Sequence, residues 1–523
     1  MRKISFIFLF LAFLFSYANE KALIEGFSYM CLKTNDIGVD MRSFEQDAYS
    51  MALCSFLLAN PEKSEFETEI LLSKIRELHS GRFYKYADKR ETSKKKISKP
   101  DFSFLKTKEA FNSMNFLSDT LISDSAYYSQ VRFFLNAASR ESAEEKLFYS
   151  MLEAIDYIIS LDDSSILSLC MKLKDEYKDY FDIIIGSSDA DTYHLYKGNK
   201  LIIDLGGDDV YMAFEEHSLA GGNGGLSGIV DLSGNDEYQG KGYDIGCGIN
   251  GAGFIDDRDG NDRYSSSYCS IGAGFNGLGF VLDRGGNDEY ISNGLSQGFG
   301  FTKGAGIIYD IKGNDSYLSV LGMNDHREEG YHSHLSQGFG YGVRDIASGG
   351  VGMIVDDCGD DIYSGEYFVQ GSSYWHGLGI LYDTRGNDIY RSRRYSQGAG
   401  THFTVGLLFD REGRDLYHSW GVSQGCGHDF SFGMLSDYSG DDLYYSNWLS
   451  QGAGNANGAG VLIDFAGDDI YRTDKEDCQG WANPDRGTFS YGMLFDMRGI
   501  DSFNRAEAKS EVKTKMGVLI DKD

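Results

Sequence analysis

Pairs of aspartates recur along residues 201–523, and they are the side chains with the greatest capacity for chemistry in this sequence. Each pair lies in the phrase Asp-x-x-Gly-Asn/Asp-Asp-x-Tyr, as between Asp283 and Tyr290. The spacing of the first aspartate is 26 or 27 residues, apart from 46 before Asp356 and 32 before Asp496. These first aspartates are Asp204, Asp231, Asp257, Asp283, Asp310, Asp356, Asp383, Asp410, Asp437, Asp464 and Asp496. A repeat of this length is typical of a solenoid, a propeller or an array, in which each unit buries its apolar face against the next.

Stacking such repeats places like carboxylates within about 5 Å of one another, which is repulsive unless a cation or N–H donors lie between them. Calcium takes six to eight oxygens from carboxylates and loop carbonyls, so calcium is the predicted cofactor. The predicted metal ligands are Asp231, Asp236, Asp257, Asp262, Asp283, Asp288, Asp310, Asp315, Asp383, Asp388, Asp437, Asp442, Asp464 and Asp469. The alternative is an Asx-turn, in which the carboxylate accepts backbone N–H groups and no metal is needed.

The elements that must position these aspartates are short strands joined by Gly-rich turns. A propeller blade needs about 40 residues, so a repeat of 27 favours a coil of three short strands. In one repeat the predicted strands are Asp388 to Arg393, Tyr395 to Thr401 and Val405 to Phe409. Stacked coils lie about 4.8 Å apart, so every repeat position becomes a column of like residues. One predicted column stacks the tyrosines, and a second contains Gln297, Gln337, Gln370, Gln397, Gln424, Gln451 and Gln479.

The segment Gly286-Asn-Asp-Glu-Tyr290 resembles the second half of the glycine-rich nonapeptide of repeats-in-toxin proteins. This resemblance implies a parallel β-roll in which the aspartate binds calcium in a turn and the apolar residue two positions later points into the core. It covers about one third of each coil, and Asp283-Arg284 stands where the family has Gly-Gly. The ligands that it implies are Asp236, Asp262, Asp288, Asp315, Asp388, Asp442 and Asp469.

Residues before 200 have a different character. Residues 1–18 combine a basic start, an apolar run and a Ser-Tyr-Ala end, which predicts a secretory signal peptide and export to the periplasm, the cell surface or the medium. Residues 19–199 read as an α-helical domain, with capping-box starts such as Ser64 and Ser142. The predicted fold class is therefore α+β, a helical N-terminal domain followed by a parallel β-solenoid (β-helix) of about eleven coils over residues 200–523. The helical domain is expected to cap the start of the solenoid, and the short last repeat is expected to be covered or to pair with another chain.

The distribution of charge limits the classes of molecule that the protein can bind. Residues 1–200 contain 26 Lys and Arg against 30 Asp and Glu, which leaves 23 against 49, a net charge of −26, for residues 201–523. Such an acidic field excludes nucleic acid, whose binding surfaces are basic. No apolar run after residue 18 is long enough to span a membrane as a helix. The predicted partner is a protein or a cell-surface polysaccharide, with the oligomeric state left open.

An insert over residues 319–350 interrupts the period and contains His326, His332 and His334. We predict a polar surface loop there, because a complete metal-ligand spacing is missing. In the alternative interpretation the loop borders a catalytic groove, and His332 acts with Glu328 or Glu329 as a base or a metal ligand.

Uniform repetition favours a non-catalytic function, because a catalytic groove needs a few unique residues and not eleven copies of one phrase. The leading hypothesis is an exported structural or binding repeat protein of the bacterial cell envelope or surface, stabilised by calcium, with no catalytic residues and no organic cofactor. The alternative is a carbohydrate-active β-helix enzyme, either a polysaccharide lyase or a hydrolase, which rests on analogy of fold.

Overall fold

The structure is a computed structural model, and the described residues are Cys54, Leu57, Leu58, 60–79, Pro100, Phe102, Leu105, 143–344, 347–483, 490–504, 511–513 and 517–522. The predicted signal peptide lies outside them. The chain divides into two compact units. We call residues 72–316 the first solenoid unit, and residues 1–71 with 317–523 the second solenoid unit. Together they contain the repeated coils that the sequence predicts.

Each coil of the first solenoid unit supplies strands to a long-strand face, a tyrosine face and, in part, a short-strand face, and strands of successive coils pair in parallel. The long-strand face consists of Asp182–Ile185, Lys200–Ile203, Leu226–Asp231, Ala252–Asp257, Leu278–Asp283 and Ala305–Asp310. The tyrosine face consists of Thr192–Leu195, Val210–Ala213, Glu237–Gln239, Arg263–Ser265 and Glu289–Ser292. The short-strand face consists of Gly222–Asn223, Gly248–Ile249 and Gly274–Phe275, and the strand Ser316–Ser319 straddles the unit boundary.

The second solenoid unit repeats the same three faces. Its long-strand face consists of Val351–Asp356, Leu378–Asp383, Val405–Asp410, Phe432–Asp437, Ala459–Asp464, Tyr491–Asp496 and Gly517–Asp521. Its tyrosine face consists of Ile362–Ser364, Ile389–Arg391, Leu416–His418, Leu443–Ser446, Ile470–Thr473 and Ser502–Phe503. Its short-strand face consists of Gly340–Tyr341, Ser373–Tyr374, Gly400–Thr401, Gly427–His428 and Gly454–Asn455. The parallel β-solenoid of about eleven coils is thus confirmed, although the middle strand of each coil is shorter than predicted.

The solenoid begins earlier than residue 200. The strand Asp182–Ile185 pairs in parallel with Lys200–Ile203, and Thr192–Leu195 pairs with Val210–Ala213. These first strands lack the complete aspartate phrase, so the repeat pattern alone did not reveal them. At the other end of the chain, the antiparallel strand Glu511–Lys513 pairs with Gly517–Asp521 and covers the short last coil, as expected.

The predicted tyrosine column forms the core of both units. In the first unit the rings of Tyr211, Tyr238, Tyr264 and Tyr290 are fully buried, and successive centroids lie 4.7–4.8 Å apart with nearly parallel planes. The second unit continues the pattern from Tyr317 to Tyr471 and Phe503 with centroids 4.6–5.0 Å apart. The common 4.8 Å step of stacked strands sets this spacing. The rings therefore stack because the backbone repeats.

Three α-helices lie in the described part of the N-terminal region: α1 (Ser64–His79), α2 (Ala143–Ile159) and α3 (Asp163–Tyr177), with a 3₁₀ turn at Pro61–Lys63. In the first unit α3 packs against the strand Asp182–Ile185, which agrees with a cap at the start of the solenoid. Helix α2, in contrast, lies along the side of the long-strand face, where Arg284 donates to the Ile159 carbonyl at 2.9 Å. The helical region therefore covers a flank as well as the end, because Arg284, which directly follows a long strand, binds the end of α2.

The start of α1 docks on the long-strand face of the second unit through a buried ionic cluster. Arg411 Nη2 lies 2.9 Å from Glu65 Oε1 and 2.6 Å from Glu69 Oε1. The guanidinium also donates to the Tyr382 hydroxyl at 2.6 Å and lies 3.8 Å from the ring centroid of Tyr438. A charge-assisted cluster of this kind fixes the helix on the sheet, because the guanidinium bonds to both glutamates and to the Tyr382 hydroxyl.

Candidate functional site: the aspartate columns

The first aspartates of the repeats form one buried column, which we call the leading column. In the first unit Asp283 is typical: its Oδ1 accepts the N–H of Gly285 at 3.0 Å, and its Oδ2 accepts the hydroxyl of Tyr264, one coil earlier, at 2.7 Å. In the second unit Asp437 accepts Ser439 N–H at 3.1 Å and the Tyr417 hydroxyl at 2.6 Å. One oxygen of each of these leading aspartates therefore forms the predicted Asx-turn. The other oxygen accepts a hydrogen bond from a tyrosine hydroxyl.

The second aspartates of the repeats form a parallel trailing column, whose members include Asp209, Asp236, Asp262 and Asp288 in the first unit and Asp388, Asp415, Asp442 and Asp469 in the second. One carboxylate oxygen of each joins consecutive coils: Asp262 Oδ1 accepts the N–H of Asp236 at 2.6 Å, and Asp415 Oδ1 accepts the N–H of Asp388 at 2.6 Å. The glycine two residues before each trailing aspartate is required for this close approach, because a Cβ on Gly260 would lie 1.7 Å from the Gly234 carbonyl oxygen.

In eight of the described trailing aspartates, no hydrogen-bond donor faces the remaining oxygen, Oδ2. It is buried in all eight of Asp209, Asp236, Asp262, Asp288, Asp388, Asp415, Asp442 and Asp469. Each lies beside the leading column, so that three carboxylate oxygens come within 4.8 Å of one another in groups such as Asp236, Asp257 and Asp262. Opposing carboxylate oxygens repel one another at this distance unless a proton or a cation lies between them.

The pKa values express this conflict. Burial, followed by the negative charge of Asp283, raises the pKa of Asp288 to about 10. Burial, followed by the charges of Asp383 and Asp410, raises the pKa of Asp388 to about 11. Burial raises the pKa of the leading Asp283 to about 6, while the Tyr264 hydroxyl and the Gly285 N–H lower it. Burial, followed by the charge of Asp410, raises the pKa of the leading Asp437 well above its usual range. Both columns therefore require neutralisation.

All fourteen predicted ligands lie in the two columns. The structure also places Asp204, Asp209, Asp356, Asp361, Asp410, Asp415, Asp496 and Asp501 at equivalent positions, which the predicted set omitted although they share the repeat phrase. The resemblance to the nonapeptide implied an aspartate in a turn and an apolar core residue two positions later. Asp288 in the turn before the strand Glu289–Ser292 and the buried Tyr290 are compatible with that arrangement.

The predicted glutamine column has a structural function, in which the side-chain amides bond to backbone carbonyls. Gln397 Nε2 donates to the Tyr390 carbonyl at 3.0 Å and to the His418 carbonyl of the next coil at 3.2 Å. Gln424 makes the same two contacts with Tyr417 and Tyr445, each at 3.0 Å. The glutamines therefore tie the backbone of one coil to that of the next.

The insert is a hairpin docked on the second unit, where we predicted a polar surface loop. Its strands Met323–Asn324 and His332–Ser333 are antiparallel. Glu328 binds Arg393 and accepts the Tyr367 hydroxyl at 2.5 Å, so it does not pair with His332 as the alternative interpretation expected. His332 Nδ1 instead lies 3.0 Å from Glu366 Oε2, outside the insert. Sequence reasoning missed Glu366 because nothing in the repeat marks that position.

The histidines of the insert lie in different environments. His326 is exposed, whereas His334 is buried and accepts the N–H of Glu366 at 2.9 Å through Nδ1. Burial lowers the pKa of His334 to about 3, so this ring is neutral at physiological pH. His334 is therefore a structural residue of the docked hairpin.

Replacing Tyr444 by Phe tests the link between the tyrosine and leading columns. The Tyr444 hydroxyl donates to Asp464 Oδ2 at 2.8 Å inside the core, whereas the next residue, Tyr445, points outward and lies 3.3 Å from the exposed Asp474. We expect Tyr444→Phe to lower the free energy of unfolding by about 1–3 kcal/mol, because a buried acceptor loses its donor. Tyr445→Phe is the matched control and should change it by less than about 0.5 kcal/mol. Equal effects in urea unfolding would contradict the assigned hydrogen bond.

The described residues contain no helix that is both long and apolar enough to cross a membrane. In comparisons with known proteins, no protein-family model, no curated protein and no solved structure matches the chain. The site is therefore interpreted from its geometry.

Proposed function

We propose that the protein is an exported, non-catalytic scaffold of the bacterial cell envelope or surface, whose aspartate columns bind calcium. The observation that carries this proposal is the use of the repeated side chains. The tyrosine and the leading aspartate of the repeats, with the glutamine where it is present, bond to neighbouring coils, as Tyr390 does to Asp410 at 2.6 Å. Because these repeated groups hold neighbouring coils together, they support a structural role over a repeated substrate site.

Calcium is supported by the donor set. The unpartnered Oδ2 atoms are hard carboxylate oxygens, and calcium prefers such ligands. When bound there, calcium supplies positive charge between carboxylates that would otherwise have to be protonated. The residues that would hold it are the trailing aspartates together with their leading neighbours, for example Asp262, Asp283 and Asp288. The partial resemblance to calcium-binding repeats-in-toxin proteins points the same way.

Export is supported by residues 1–18, and an external compartment is also where calcium is abundant. The net charge of −26 over residues 201–523 favours a protein or a cell-surface polysaccharide as the partner over nucleic acid. A repetitive, acidic protein that holds cations suits a structural or adhesive role outside the cell.

A carbohydrate-active enzyme is the second candidate, and one observation favours it. The pair of His332 and Glu366 has the geometry of an oriented base, since Nδ1 and Oε2 are 3.0 Å apart and both side chains are partly exposed. His332 lies in the insert over residues 319–350, which interrupts the repeat, and a catalytic site needs residues that are not repeated.

The two candidates are separated by activity. We expect no turnover when the purified full chain is incubated with acidic and neutral polysaccharides. If turnover is found, His332→Ala should be compared with His326→Ala, an exposed histidine on the same hairpin that serves as the matched control. Turnover that disappears in His332→Ala alone would contradict the scaffold and establish the enzyme.

A further inference from the structure

The tyrosine face of the second unit presents an unbroken aliphatic column to the outside. Side chains alternate along each strand, so the residue before each core tyrosine points outward. The strands pair in register and align Ile362, Ile389, Leu416, Leu443 and Ile470, which we call the aliphatic strip. The exposed fractions of Ile362, Leu443 and Ile470 are 38%, 37% and 39%.

The fold does not require aliphatic residues at this position. In the first unit the same register aligns Val210, Glu237, Arg263 and Glu289, and Arg263 forms a salt bridge with Glu289. The two units share the backbone, the inward tyrosines and the aspartate columns. The aliphatic strip therefore serves a purpose other than folding, because exposed charges fill the same position equally well.

Two columns of opposite charge border the aliphatic strip. The column two residues before it in each coil, which we call the acidic edge, has three carboxylates and one arginine. All five of its residues are exposed: Asp360, Asn387, Arg414, Asp441 and Asp468. The column after it, which we call the basic edge, has two arginines and no carboxylate: Ser364, Arg391, His418, Tyr445 and Arg472. Across the face the order is thus acidic, aliphatic, basic.

We infer that this face binds a second copy of the same chain, with a two-fold axis parallel to the direction in which the coils stack. This axis brings the two aliphatic strips together and places the acidic edge of each copy against the basic edge of the other. Asp468 then faces Arg472 of the other copy, and Asp441 faces the hydroxyl of Tyr445. A two-fold axis along the strands would instead oppose the acidic edges, which repels.

The repeat period and the area also fit a second copy. Only a surface with the same 4.8 Å step keeps five coils in register with five others. Five coils and the three outward columns cover about 24 Å by about 20 Å, or on the order of 500 Å² for each copy, which lies at the lower end for a specific interface. The dimer is therefore weak, with a dissociation constant on the order of micromolar.

Sedimentation velocity of the full chain between about 1 and about 100 µM tests the inference, because this range brackets micromolar affinity. We expect a concentration-dependent dimer. The variant Ile389→Glu/Leu416→Arg/Leu443→Glu copies the charges of Glu237, Arg263 and Glu289 in the first unit, and it should weaken dimerisation at least tenfold without changing the circular dichroism spectrum. A monomer at every concentration, or a triple variant that dimerises like the wild type, would overturn the inference.

Thiol cross-linking tests the direction of the axis. Sheets packed face to face lie about 10 Å apart, so a bifunctional maleimide with a spacer of about 10 Å joins thiols that oppose each other across the axis. Leu416→Cys lies near the axis and should link two copies with this reagent. His418→Cys lies on the same coil but on the basic edge, so it should remain unlinked, as should the wild type, whose described cysteines are free and mostly buried. Efficient linking through His418→Cys would refute the parallel arrangement.

Discussion

In the presence of a chelator, the melting temperature of the protein is expected to fall as the pH rises from about 5 to about 9. Burial and neighbouring carboxylates raise the pKa of Asp288 to about 10 and that of Asp388 to about 11, far above the value in an unfolded chain. Groups with a raised pKa hold protons in the folded state that the unfolded state has already released. Their contribution to stability is complete below about pH 4 and is lost as the pH rises towards the folded pKa, by up to about 1.4 kcal/mol per pH unit for each proton.

Saturating calcium should remove most of this dependence. A cation that binds only the folded state adds RT ln(1 + [L]/Kd), and calcium binds ionised carboxylates, so its effect should be largest at the alkaline end. Differential scanning calorimetry at pH 5 and pH 8.5, with chelator and with millimolar calcium, gives the four values required. A melting temperature that is the same at both pH values in chelator would show that the trailing column does not hold protons in the way described.

Replacing Arg411 by Met is expected to detach the start of helix α1 from the second solenoid unit. The guanidinium is the cationic partner of Glu65 and Glu69, and its side chain is only 9% exposed. Removing one partner of a buried ionic cluster leaves the other charges uncompensated, which costs about 3–5 kcal/mol. Hydrogen exchange should therefore accelerate in residues 64–71, while the tyrosine face retains its protection.

Arg414→Met is the matched control, because Arg414 lies three residues away on the same turn and is exposed. It should leave the exchange of residues 64–71 unchanged. If both variants behave alike, the cluster around Arg411 does not hold the helix.

The repeat itself was readable from the sequence because a fixed period forces equivalent residues into columns. That period predicts the approximate positions of the strands and the stacking of the tyrosines. The Asx-turn in which Asp283 accepts the Gly285 N–H follows from the repeated phrase. Contacts between distant parts of the chain were not readable. Arg411 and Glu65 are separated by 346 residues, and no local pattern marks either as a partner.

The insert illustrates the same limit. Its polarity predicted a solvated loop, yet Glu328 reaches Arg393, 65 residues away. The repeat period predicts the contacts that recur in every coil. Contacts that occur once, between residues far apart in the chain, do not follow from it.

Calcium in the aspartate columns is tested most directly by measuring the calcium bound per chain. Two adjacent residues provide the comparison: Asp442 is buried in the trailing column with an unpartnered Oδ2, and Asp441 is exposed. After equilibrium dialysis against millimolar calcium at pH 7.5, we predict several bound ions per chain, fewer in Asp442→Asn and an unchanged number in Asp441→Asn. If the calcium concentration with the full chain does not exceed that of the dialysis buffer, or if the two variants bind equal amounts, the aspartate columns do not bind calcium as proposed.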